Sequence, residues 1–179
     1  MKRVALVVLA AVAAPATLAA QDDSLQLEQR SISGPRLGLT YVFGPKADSV
    51  LREHDLAPLL SQFGWHFEQI VRPRSGGPMF VVEELLLVGG VDQGTAIPSV
   101  SLLMGIRFPS GLEFGMGPNI TPTGTALAVG IGKSLRYGSV SLPLNIAWVH
   151  SPGANRVSFI FGYALESARR PAPGRALSR

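Results

Sequence analysis

From residue 37 onward apolar residues recur at every second position, the repeat of a strand whose two faces meet different surroundings. Leu37, Leu39, Tyr41 and Phe43 alternate with Gly38, Thr40 and Val42, and Phe63, Trp65 and Phe67 alternate with Gly64 and His66. Residues 79–88 form an apolar run interrupted by Glu83 and Glu84, and the alternation resumes over 100–108, 112–117, 127–132, 139–148 and 157–164. This pattern predicts eight strands. A single helical stretch, 47–62, separates the first two, with Asp48 and then Asp55 as N-caps and Pro58 in the turn after Asp55. Other connections are short and rich in turn residues, such as Pro109-Ser110-Gly111 and Ser151-Pro152-Gly153, so consecutive strands must run antiparallel.

The positions between the bulky apolar residues decide which way the sheet faces. A soluble barrel turns its large apolar side chains inward and shows charge to water. Here the alternate positions are mostly Gly, Ser and Ala, and residues 78–164 contain only eight charged residues. The expected architecture is therefore an eight-stranded antiparallel up-and-down β-barrel turned inside out, with Leu, Val, Phe, Met and Trp toward lipid and small or polar residues in a narrow lumen. Tyr41, Phe43, Phe63, Trp65, Trp148 and Tyr163 are expected near strand ends, as interfacial girdles. With both termini periplasmic, the helix-bearing connection falls outside. Strict alternation would aim one of the adjacent Glu83 and Glu84 at lipid, so a bulge turning both inward is expected, and Pro143 predicts a second irregularity in strand seven.

The ends of the chain differ from this body. Lys2 and Arg3, the apolar run 4–14 and the small residues Ala19 and Ala20 follow the order of a secretory signal peptide over 1–20. Residues 21–35 read as a flexible leader, 36–164 as the barrel and 165–179 as a basic disordered tail. Between 21 and 164 there are 10 basic and 11 acidic residues, so the precursor's basic character sits at its ends and nucleic acid is not an expected partner. The expected partner is the lipid bilayer of the outer membrane. The absence of cysteine excludes a disulfide scaffold, a thiolate metal site and a cysteine nucleophile.

Taken together, the segments SGPRLGLTYVFGP (33–45), SQFGWHFE, VGGVDQGTAIPS and GLEFGMGPNIT resemble a set of functionally unassigned exported bacterial proteins of small outer-membrane β-barrel architecture. The resemblance covers roughly residues 33–164, implies that fold and location, and brings no catalytic residue with it.

Candidate chemistry is sparse. His54, His66 and His150 lack the spacing of a metal signature, and no cofactor, metal or catalytic residue is expected. His66 and Glu68 share one strand face, and Arg107 and Glu113 share the small-residue face of later strands. These four form the candidate lumen network, read as internal ion pairing in preference to acid–base catalysis. Trp148-Val149-His150-Ser151 resembles outer-membrane lipid A deacylases, but there the histidine and serine are separated by one residue, and the adjacent pair here reads better as a turn. The sequence thus points to a small non-enzymatic outer-membrane barrel with a structural, adhesive or narrow-pore role. The alternatives are a soluble periplasmic lipocalin-like carrier of an apolar ligand and a membrane-embedded lipid hydrolase.

Overall fold

The structure, a computed structural model, describes residues 27–53, 55–73, 76–138 and 140–166. The export segment expected at 1–20 and the tail beyond 166 lie outside them. The strands are β1 (Leu27–Phe43), β2 (Leu59–Pro73), β3 (Met79–Gly89), β4 (Ile97–Arg107), β5 (Leu112–Thr121), β6 (Gly124–Tyr137), β7 (Val140–His150), β8 (Asn155–Gly162) and the short β9 (Ala164–Glu166). Each pairs antiparallel with its neighbours, and β1 pairs with both β2 and β8, which closes the sheet. β9 continues β8 in the same register against β1 and β7, so the nine segments make eight staves. Closure gives every stave a neighbour on each side.

Alternation places the bulky apolar residues outside. Among the described residues 34 large apolar side chains are exposed and 15 apolar ones are buried, while 13 polar or charged residues are buried. A water-soluble domain has the opposite arrangement. The outer wall is a near-continuous apolar belt, exemplified by Phe80, Met104, Met116, Ile146 and Phe159.

Four expectations need correction. First, β1 begins at Leu27, so residues 27–35 are strand and not leader, because they pair residue for residue with a β2 that runs on to Pro73. β9 likewise carries the barrel past 164. Second, the helix α1 spans only Ala47–Glu53; Asp55 adopts a left-handed conformation (φ 52°), and Leu59–Gln62 already belong to β2. Third, β3 has no bulge: its register is continuous through Glu83 and Glu84 against both neighbours. Glu83 is buried in the lumen, and Glu84 lies on the outer face opposite Phe67 and Leu102. Fourth, β7 stays in register through Pro143, which pairs with Ser134. On its other side the β7 ladder lapses between Leu144↔Phe161 and Ser141↔Ala164, leaving Pro143 and Leu142 unpaired with the facing stave, which breaks at Tyr163 between β8 and β9.

The lumen is filled in layers. At the mouth beneath α1, Val42 and Leu60 pack with Ala47 and Leu51 of the helix, which stops that end. The loops around it are tied together: Asp92 accepts from the Ser61 amide and hydroxyl, and the Gln93 side chain bonds Ala57 N and Leu59 O. Deeper, Leu85, Leu87, Leu103, Ala128, Val149 and Ile160 form an apolar layer. Asn119 bridges Ser99 and Ser101, and Thr40 meets Ser158 at 2.7 Å. Toward the other mouth, Ile32, Ile70, Met79, Val81 and Ala164 form a second apolar layer.

Candidate functional site

Between the two apolar layers lies a belt of charge. Inward parity on successive strands delivers Arg36 from β1, His66 and Glu68 from β2, Glu83 from β3, Arg107 from β4 and Glu113 from β5, all buried. Arg107 is the hub. Its Nε donates to Glu113 Oε2 at 2.7 Å, its Nη2 to Glu68 Oε2 at 2.9 Å, and further bonds join Nη1 to Glu68 Oε1 and Nη2 to Glu113 Oε2. Asn145 of β7 donates to Glu113 Oε1 at 2.7 Å. Gly132 makes room for this contact, since a Cβ there would lie 2.6 Å from Glu113 Oε1 and 2.7 Å from Asn145 Nδ2.

Arg36 holds the other half. It donates to the Tyr163 carbonyl at 3.2 Å and lies 2.6 Å from His66 Nδ1. A guanidinium can only donate, so Nδ1 accepts and the ring proton sits on Nε2, which faces Glu83 at 3.5 Å and Glu68 at 3.9 Å. The four residues singled out from the sequence thus meet in one layer. Arg36 and Glu83 complete it, and sequence reasoning missed them for separate reasons. Arg36 stood at the edge of the expected barrel, and Glu83 was tied to a bulge that does not form. Continuing the alternation backwards from Thr40 through Gly38 would have placed Arg36 inside.

His66, Glu68 and Glu83 bring three ligand atoms within 4.8 Å of one another, the geometry of a small metal centre. The bonding of two of them is already committed. His66 Nε2 keeps its proton because Arg36 occupies Nδ1, and both Glu68 oxygens accept from Arg107. A divalent ion needs a free imidazole nitrogen and free carboxylate oxygens, so the donor set does not fit one.

The His150 region is equally uncommitted to catalysis. His150 is exposed, with Nδ1 2.9 Å from Asn155 Oδ1 and its ring 5.6 Å from that of Trp148. The flanking strands β6 and β8 contain no carboxylate, so no acid on a neighbouring strand can orient the imidazole as a hydrolase would require.

No family model and no curated protein matches the chain. Among solved structures, it is similar to Ail, the attachment invasion locus protein of Yersinia pestis, with 10% identity and a TM-score of 0.51 over 78% of this chain and 97% of that one. The same protein in complex with the heparin analogue sucrose octasulfate aligns at 10% identity and a TM-score of 0.47, over 79% and 99% of the two chains. Neisserial surface protein A aligns at 10% identity and 0.42, over 75% and 96%. At such identity the likeness to Ail is one of fold: a small closed antiparallel barrel.

Proposed function

We propose that the protein is a small non-enzymatic barrel of the bacterial outer membrane, inserted with α1 at the outer face. The observation that carries this reading is the inverted surface: exposed apolar staves around a lumen holding six buried charged or imidazole side chains. Water would penalise such a wall, whereas lipid selects it, and a closed barrel satisfies its backbone without water. Lys133 fits the same frame, since it lies on the outer face four residues from the end of β6, within reach of an interface for a long side chain.

The layered lumen and the helix over one mouth favour a structural or adhesive role over a pore. They also disfavour a lipocalin-like carrier, which needs a vacant apolar interior. The fold likeness to a protein named for attachment and invasion supports an adhesive use of the α1 face. Two features argue against catalysis: the bonds that already occupy His66 Nδ1 and both Glu68 oxygens, and the missing acid beside His150.

Fractionation of a bacterium expressing the full chain tests the proposal. The protein is expected in the outer-membrane fraction, migrating faster on a detergent gel before heating than after. Recovery in the soluble periplasmic fraction would overturn it.

A further inference from the structure

The mouth opposite α1 differs from the rest of the barrel in its charge. A cavity of about 400 Å³ opens there, with Arg107 at its inner end and Arg72, Lys133 and Arg136 in its walls, and no carboxylate lines it. Arg107 is committed to Glu68 and Glu113. Other lumen cations have partners: at this same mouth Arg30 donates to Glu28, the cross-strand neighbour of Arg72, and further in Arg36 donates to the Tyr163 carbonyl and His66, and Arg156 to Asn119. Among the described residues no hydrogen bond or ion pair runs from Arg72, Lys133 or Arg136 to any carboxylate. A second feature of the same cavity is independent of charge. Ser134, in its wall, has a buried hydroxyl with no hydrogen-bond partner.

We propose that this mouth binds the phosphate of an anionic phospholipid headgroup. The inference rests on the membrane reading above, which puts the mouth at the inner interface. Alternation puts Arg72 and Arg136 on the lumen side of the rim and Lys133 on the lipid side, so cations stand on both sides of the lip. A phosphodiester seated over the lip meets two guanidinium forks, which match its oxygens bidentately, and the point charge of Lys133. The acyl chains then run down the outer wall, where Leu135 and Tyr137 are exposed just beside the basic residues. The tyrosine, 68% exposed, is the amphipathic type of side chain that settles at headgroup level.

The test uses the full chain folded in detergent, exchanged into bilayers of phosphatidylcholine containing phosphatidylglycerol, and examined for retained lipid by native mass spectrometry. Phosphatidylglycerol is expected to be retained over phosphatidylcholine. Arg72→Gln with Arg136→Gln should weaken that retention roughly tenfold, and Lys46→Gln, in the connection beside α1, should leave it unchanged. Equal retention of the two lipids, or equal retention by the double variant, would overturn the site. Inorganic phosphate added at excess should fail to displace the lipid; displacement would overturn the lipid assignment and leave a site for free phosphate. Heat-modifiable migration is followed on every sample. A parent chain that does not enter bilayers at all contradicts the membrane reading, whereas one that inserts without selecting phosphatidylglycerol contradicts the headgroup site alone.

Discussion

The guanidinium of Arg107 on β4 clasps the carboxylate of Glu68 on β2, reaching past the intervening β3. Because it also binds Glu113 on β5, one side chain staples strands on both sides of its own. Arg107→Ala should therefore strand two buried carboxylates and cost about 3–5 kcal/mol, the usual penalty for breaking a buried pair from one side. Urea unfolding of the barrel in micelles measures this. Neutralising the cluster together, as Arg107→Leu with Glu68→Gln and Glu113→Gln, should recover most of the loss. A loss in the triple variant as large as in the single one would show that the charges are not coupled.

Glu84 faces outward in the middle of β3, between Phe67 and Leu102. On a lipid-facing wall a carboxylate is the costlier choice, so Glu84→Leu should stabilise the inserted barrel by about 1 kcal/mol. The comparison is made in phospholipid vesicles by denaturant titration. Destabilisation would mean that Glu84 has a polar neighbour on the outer wall.

Ile146 is 52% exposed and flanked by Ile131 and Phe159 on the adjacent staves. Ile146→Arg should lower the stability of the inserted barrel by roughly 2–4 kcal/mol, the cost of a cation near mid-bilayer. Ser141→Asn, on the lumen side, should be milder. Vesicle insertion assays separate the two.

Asp92, in the connection between β3 and β4, is tied to the start of β2 at the α1 mouth, accepting from Ser61 Oγ at 2.6 Å and Ser61 N at 3.2 Å. The Ser61 hydroxyl is the main cause holding its carboxyl below the ordinary aspartate range. A carboxyl lowered in the folded state contributes stability above its unfolded pKa and loses it as pH falls through the folded value. Amide exchange at Ser61, corrected for intrinsic rates, should show steady protection from neutral pH down to about 4 and weaker protection below it. Protection that is unchanged by Asp92→Asn at neutral pH would contradict the clamp.

The period-two signal made most staves legible, because β4 and β7 carry it without interruption between a lipid-like and a small-residue face. It failed where a strand leaves the apolar belt. Residues 27–33 of β1 put Gln29, Ser31 and Ser33 on the outer face, so nothing local marks them as strand. Their partner is the end of β2, some forty residues away in sequence and invisible to a local pattern. The belt of charge was legible in the same measure: His66, Glu68, Arg107 and Glu113 follow from parity alone. The contact of Arg36 with His66 depends on the register between β1 and β2, which pairs Gly34 with His66 and Arg36 with Gly64. The left-handed Asp55 that ends α1 early has no periodic signature at all.

The central claim, that the apolar wall meets lipid, is tested most directly by the chain's two tryptophans. Trp65 on β2 and Trp148 on β7 are each 45% exposed on the outer wall, on different sides of the barrel. Their fluorescence is measured in vesicles whose acyl chains carry bromine, and again with iodide in the water. Both tryptophans, isolated in turn by Trp65→Phe and Trp148→Phe, should be quenched by the brominated chains and shielded from iodide. Quenching by iodide with no effect of bromine would place the wall in water and contradict the account.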